Sequence, residues 1–115
     1  MIPATVRIFA CTEPVDMRRG FDGLALIARE KLGQDPRSGV LLLFTNKRRD
    51  RLKALWWDRN GYCVLYKRIH GASFELPVPD EAGGVSVCID GQKLGALLAG
   101  KEKVRARRAK LRVVR

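Results

Sequence analysis

The segment from Arg51 to Ile69 most constrains the fold, because two stretches of alternating apolar and polar residues surround Asn60-Gly61. Asn-Gly is the strongest short-range hairpin signal, since both residues tolerate a positive φ. A two-residue turn there predicts that Trp57 pairs with Val64 and Lys53 with Arg68. One hairpin face is then a core face, apart from Lys67, with Leu52, Ala54, Trp56, Cys63, Leu65 and Ile69. The other face mixes cations with aromatic rings, with Arg51, Lys53, Trp57, Tyr62, Tyr66 and Arg68.

A different turn is compatible with the same residues. Asp58 to Gly61 could form a three-residue loop with a bulge at Gly61, which would shift the pairing by one residue and mix the two faces. We prefer the two-residue turn because it separates apolar from charged positions.

Two helices and several further strands are predicted outside the hairpin. A long helix spans residues 16–33, with Asp16 as N-cap and Gly33 as its stop. Because Gly20 and Gly23 weaken its first turns, the alternative is a short turn and a helix from near Phe21. A short second helix follows Asp90. Strands are predicted over residues 5–11, 40–44, 73–79 and 85–89, and the continuous apolar run at 40–44 is typical of a central strand buried on both faces.

This order of elements predicts an α+β fold. We expect a mostly antiparallel sheet of five to six strands, one long N-terminal helix packed on one face, a short C-terminal helix and a basic tail. The 115 residues suffice for one domain, which we assign to residues 1–100, followed by the tail at 101–115.

Charge is the main indication of function. The net charge is +11, of which residues 101–115 supply +7, with eight Lys and Arg against one Glu. Such an excess favours a polyanionic partner, because phosphate contacts release condensed counterions. Membrane surfaces are the weaker candidate, since the tail lacks bulky apolar anchors. No apolar run approaches the ~20 residues of a membrane span, and no signal peptide is apparent, so a cytoplasmic, nucleoid-associated protein is expected.

The candidate nucleic-acid contacts are basic or aromatic residues in four places. They are the helix start, the basic loop after the 40–44 strand, the hairpin, and the tail, which could order on nucleic acid. Aromatic rings among cations suit stacking on bases beside phosphate pairing. The predicted contacts are Arg18, Arg19, Lys47, Arg48, Arg49, Arg51, Lys53, Trp57, Tyr66, Arg68, Lys101, Lys103, Arg105, Arg107, Arg108, Lys110 and Arg112.

No set of catalytic residues is apparent in the sequence. His70 is the single histidine, the three cysteines lack metal-ligand spacing, and P-loop, GxSxG and HExxH motifs are absent. We therefore predict no enzyme activity, no cofactor and no metal. Two or three of the scattered aspartates could still meet and hold a metal for phosphodiester cleavage, which leaves a nuclease as a weaker alternative.

Three segments carry a resemblance to a known family. They are PVDMRRGFDGL at 14–24, FTNKRRDRLK at 44–53, and the hairpin residues Trp57-Asp58, Gly61-Tyr62 and Tyr66-Lys67-Arg68. Over about residues 5–100 the chain resembles TnpB, the accessory protein of the insertion-sequence-66 group of bacterial transposable elements, which is distinct from the RNA-guided nuclease of the same label.

The resemblance implies an accessory factor for transposition, encoded beside a separate transposase. It supplies no catalytic activity or molecular mechanism. With the charge and the hairpin, it predicts a non-catalytic protein that binds DNA, at element ends or non-specifically, and assists the transposase. The alternative is an adaptor whose exposed aromatic residues dock the transposase without specific DNA binding.

Overall fold

The computed structural model describes residues 6–79 and 81–102. The main sheet has five strands in the order β4-β3-β2-β1-β6, and β5 and β7 form a separate two-stranded sheet. The strands are β1 (Ile8–Cys11), β2 (Leu41–Thr45), β3 (Arg51–Asp58), β4 (Gly61–Arg68), β5 (Ala72–Ser73), β6 (Ser86–Ile89) and β7 (Lys101–Glu102), and the helices are α1 (Phe21–Glu30) and α2 (Gly91–Ala99).

The predicted fold class is wrong, because the described part of the protein is mostly sheet with two short helices. The main sheet is mixed, since β1 pairs with β2 in parallel while its other pairs are antiparallel. Parallel neighbours need a crossover connection, and the segment containing α1 provides it. The order strand–helix–strand in the sequence is typical of such a parallel pair.

The predicted long N-terminal helix over 16–33 is also wrong, because α1 has only ten residues. It begins at Phe21, as the alternative interpretation proposed. Residues 16–19 instead form a turn in which the Arg19 N–H donates to the Asp16 carbonyl. Asp16 therefore caps this turn rather than the helix, whose N-cap is Gly20.

Strand β2 lies at the centre of the sheet and is buried on both sides, as predicted from its continuous apolar sequence. Leu42 and Phe44 pack with Leu55 and the buried side of α1 on one face, which we call the helix face. Leu41 and Leu43 belong to the core on the opposite face, with Phe74 and Leu97 of α2.

The hairpin of β3 and β4 groups its side chains into the two predicted faces but has a different register, and Leu65 of the predicted core face is 47% exposed. Its turn is Arg59-Asn60, so Trp57 pairs with Tyr62, Lys53 with Tyr66 and Arg51 with Arg68. The pairing differs from the predicted one by two residues, which leaves each side chain on its expected face because strand side chains alternate with a period of two. Arg59 adopts the positive φ of 53° that this turn requires.

The cation-bearing face is not uniformly exposed. Leu55 in its middle is fully buried against the α1 core, and Val64 opposite is half-buried. The polar and aromatic residues of this face are therefore divided between the two ends of the hairpin.

Helix α2 supports a stability prediction with an internal control. Asp90 caps it, accepting the Lys93 N–H at 2.8 Å, and Gly100 ends it at φ 77°. At Gly100 a Cβ would lie 2.9 Å from Ile69 Cδ1, whereas at Gly95 it would meet open space. We expect Gly100→Ala to lower the free energy of unfolding by about 1–2 kcal/mol and Gly95→Ala to raise it by about 1 kcal/mol. Urea denaturation measures both, and equal effects of the same sign would contradict the description of this helix end.

Neither helix is long and apolar enough to cross a membrane, within residues 6–79 and 81–102.

Candidate nucleic-acid interface

Three segments that are distant in sequence line one groove of about 690 Å³ on the protein surface. They are the turn before α1, the loop joining β2 to β3, and the ends of β3 and β4 nearest that loop. The lining residues are Pro14, Val15, Asp16, Met17, Arg18, Asn46, Lys47, Arg48, Asp50, Arg51, Tyr66 and Arg68. Five are cations and two are aspartates, so the lining carries a net charge of +3.

The turn before α1 is anchored to the sheet by its backbone. The N–H of the buried Val15 donates to the carbonyl of Thr45, the last residue of β2, at 2.8 Å. The next residue, Asp16, accepts both the backbone N–H of Arg18 at 2.9 Å and its guanidinium at 2.7 and 3.1 Å. These hydrogen bonds lower the pKa of Asp16 to about 2. Asp16 is therefore ionised at neutral pH and partly offsets the charge of Arg18.

The loop between β2 and β3 is closed by Asn46. Its side-chain oxygen accepts the backbone N–H groups of Asp50 and Arg51, and its amide donates to the Asp50 carboxylate at 2.6 Å. The bond from Asn46 lowers the pKa of Asp50. This closure leaves Lys47 and Arg48 exposed at the loop tip, where they line the groove.

Arg49 follows directly in the chain but points into the protein. Its guanidinium donates to the Thr45 hydroxyl at 2.6 Å and to the Thr12 carbonyl at 2.8 Å. Thr45 is fully buried, and burial lowers the pKa of Arg49. The backbone carbonyl of Arg49 also accepts the N–H of the buried Phe74. Arg49 is thus bonded within the fold rather than presented to the groove.

The wall formed by β3 and β4 presents Tyr66 between cations. The Tyr66 hydroxyl accepts a hydrogen bond from Arg51 at 3.3 Å, and the Lys53 ammonium lies 4.9 Å from the centre of its ring. Lys53 also donates to the backbone carbonyl of Arg19 at 2.9 Å, which joins this wall to the turn before α1. Half of the Tyr66 side chain remains exposed.

Trp57 lies at the other end of the hairpin and does not line the groove. It packs edge-to-face on Tyr62, with ring centres 4.9 Å apart, and the guanidinium of Arg37 lies 4.3 Å from its ring centre. The sequence reasoning missed Arg37, which lies in the DPRSG segment read only as a turn. The structure therefore separates Trp57 from the groove residues.

Arg19 is exposed but is not among the residues that line the groove. The remaining predicted contacts are in the basic tail. Lys101 lies in β7 and forms an exposed ion pair with Glu75 at 3.6 Å. Lys103, Arg105, Arg107, Arg108, Lys110 and Arg112 lie outside the described residues.

The aspartates of the groove are not joined by other metal-ligating groups. Within the described part of the chain, no three His, Cys, Asp or Glu residues lie where they could hold a metal ion. Asp16 shares the groove with Arg51 at the start of β3, whereas Asp58 ends that strand, roughly 23 Å away at the rise of an extended chain. These two aspartates therefore cannot share one ion.

Comparisons with known proteins place the chain in a family. A family model described as IS66 Orf2 like protein matches residues 6–108, which extends past the region of resemblance into the tail. Two uncharacterized proteins of Sinorhizobium fredii (strain NBRC 101917 / NGR234) are similar over nearly the whole chain. Protein y4jC is 33% identical over 90% of this chain and 86% of its own length. Protein y4hO is 35% identical over 87% of this chain and 86% of its own length.

No solved structure matches the chain significantly. The family match confirms the resemblance inferred from the three sequence segments, two of which supply most of the groove lining. The chain therefore belongs to the IS66 Orf2-like protein family, which implies an accessory role associated with transposition.

Proposed function

We propose that this protein is a non-catalytic accessory factor that binds DNA through the groove and assists a separate transposase. The observation that carries the proposal is the convergence of Arg18, Lys47, Arg48, Arg51 and Arg68 on one concave surface. These cations come from three separate segments, so their meeting depends on the fold and not on a single charged run.

The electrostatics of the groove support phosphate contacts. Its net charge is +3, and Lys47 and Arg48 are held at the tip of a loop whose backbone is fixed by Asn46. Because the loop backbone is already fixed, the conformational freedom lost on binding is mainly that of the two side chains. Phosphate contacts position a protein on DNA without reading its sequence, so this surface supports affinity more than specificity.

The proposed interface is narrower than the predicted set of contacts. It contains the five groove cations and Tyr66, with the Lys53 ammonium against the Tyr66 ring. Arg49 is omitted because its guanidinium is bonded to Thr45 and Thr12. The adaptor alternative has weaker support at Trp57, because Arg37 and Tyr62 already cover part of that ring.

A salt-dependent binding titration tests the DNA half of the proposal. Intact protein is titrated into labelled element-end duplex and into random duplex, from roughly 50 to 200 mM salt. If all five groove cations contact phosphates, the groove alone contributes a slope of about −4.5 to the plot of log affinity against log salt concentration. Similar slopes for the two duplexes are expected. Absence of binding to both duplexes and to a single strand of the same length, at the lowest salt, would refute the proposal.

Assistance to the transposase is tested separately. The two proteins are co-purified before and after nuclease treatment. We expect DNA to strengthen the association, because both proteins would occupy the same element end. A transposition rate in cells that does not change when this chain is deleted would refute the accessory role in this form.

A further inference from the structure

Tyr66 is the one aromatic residue among the groove-lining residues, and three contacts fix its position. Its backbone is held in β4 opposite Lys53, its hydroxyl accepts from Arg51, and the Lys53 ammonium lies 4.9 Å from its ring centre. Lys53 is itself held by the Arg19 carbonyl. The ring is therefore oriented before any ligand arrives, while half of the side chain stays exposed.

We propose that the groove binds an unpaired segment of DNA, with one base stacked on Tyr66 and the flanking phosphates on the surrounding cations. This inference rests on the proposed function and names the form of DNA that the groove prefers. Stacking on aromatic side chains among backbone-binding cations is the general means of single-strand binding, and it tolerates any base because every base has a π-face.

The reason for the preference lies in which surfaces DNA offers. Inside a duplex each base is covered above and below by its neighbours, so a protein ring can reach a base face only where the strand is unpaired, frayed or flipped out. The cations alone give an unpaired strand no advantage, because each phosphate contact releases fewer counterions from a single strand than from a duplex. An exposed ring fixed among them adds a contact that only the unpaired strand can use.

The positions of the cations around Tyr66 also suit a single strand. Tyr66 and Arg68 lie on the same side of β4, two residues apart, and Arg51 pairs directly with Arg68 across the hairpin. A phosphate held by this arginine pair would therefore adjoin the base on Tyr66. The exposed Lys47 and Arg48 extend the cationic wall on the loop side, where the next phosphates of the strand would lie.

The test measures the affinity ratio between a short oligothymidylate strand and a blunt duplex of equal length by fluorescence anisotropy. Wild-type protein is expected to favour the strand. Tyr66→Leu should weaken strand binding by about 5- to 150-fold, the effect of losing one stacked base, and lower the ratio accordingly. Tyr66→Phe keeps the ring and should retain the preference. Phe21→Leu is the matched control, because Phe21 is also 50% exposed but does not line the groove.

A spectroscopic measurement separates stacking from a general loss of fold. A strand carrying a fluorescent adenine analogue should lose emission on binding the wild-type and Tyr66→Phe proteins, and not on binding Tyr66→Leu at saturation. The inference is overturned if the wild type binds blunt duplex at least as tightly as the strand, or if Tyr66→Leu leaves the ratio unchanged. Duplex binding with no role for Tyr66 would overturn this inference alone, whereas no DNA binding of either kind would also refute the proposed function.

Discussion

Arg49→Ala is expected to lower the free energy of unfolding by about 2–3 kcal/mol. The Arg49 guanidinium bonds the buried Thr45 hydroxyl and the Thr12 carbonyl, and hydrogen bonds of charged groups contribute about 1.5–3 kcal/mol. Removing the side chain leaves a buried hydroxyl and a carbonyl without their donor. Urea denaturation, followed by circular dichroism, measures the change in the midpoint and in the free energy.

The neighbouring residue provides the matched control. Arg48→Ala changes the same charge on an exposed side chain that lines the groove, so its effect on stability should lie within about 0.5 kcal/mol. Arg49→Gly separates the contribution of the side chain to stability from that of the backbone conformation. Arg49 has a φ of 60°, and glycine relieves about 1 kcal/mol of strain there. Arg49→Gly should thus be less destabilising than Arg49→Ala. Equal stability of the Arg48 and Arg49 variants would contradict an internal role for Arg49.

The difference between these arginines marks a limit of sequence reasoning. Nothing in the local sequence TNKRRD distinguishes the two arginines from each other, and the segment is correctly predicted to be a basic loop. Which arginine turns inward depends on the positive φ of Arg49 and on the nearby Thr12 carbonyl, which belongs to a segment 37 residues earlier. No local pattern contains that contact.

The strands were predictable where local patterns decide them. The apolar run of β2 identified a strand buried on both faces, and the alternation in β3 and β4 identified the hairpin faces. The register was less accessible, because turns at Asn60-Gly61 and at Arg59-Asn60 give the same faces and differ only in which pairs meet. The parallel pairing of β1 with β2 depends on a crossover, which alternation within either strand cannot reveal.

The groove was predictable in its parts but not in its assembly. The residues of the turn before α1, of the β2–β3 loop and of the hairpin were selected separately, for charge or aromatic character. Their meeting requires that Val15 pair with Thr45 and that β3 lie between β2 and β4. Trp57 shows the converse, since it shares a strand face with Lys53 yet lies beyond the buried Leu55.

The charge-reversed variant Lys47→Glu/Arg48→Glu is expected to lower DNA affinity about 100-fold at roughly 0.1 M salt. Each lost phosphate contact removes about one counterion from the release term, which is worth about tenfold in affinity at that concentration. The slope of log affinity against log salt concentration should become less steep by about two. Both side chains are exposed and their loop is closed by Asn46, so the fold should be retained.

The matched control reverses two cations away from the groove, Arg29 at the end of α1 and Lys93 in the first turn of α2. Arg29→Glu/Lys93→Glu changes the net charge by the same amount, from +11 to +7. Its effects on the two helix dipoles are opposite in sign and nearly cancel, since glutamate is unfavourable at a helix C-terminus and favourable at an N-terminus. If total charge controlled binding, both double variants would lose affinity equally. Because the groove is the proposed contact surface, the control should keep most of its affinity and the full salt dependence, and equal losses in the two variants would assign binding to the overall charge instead.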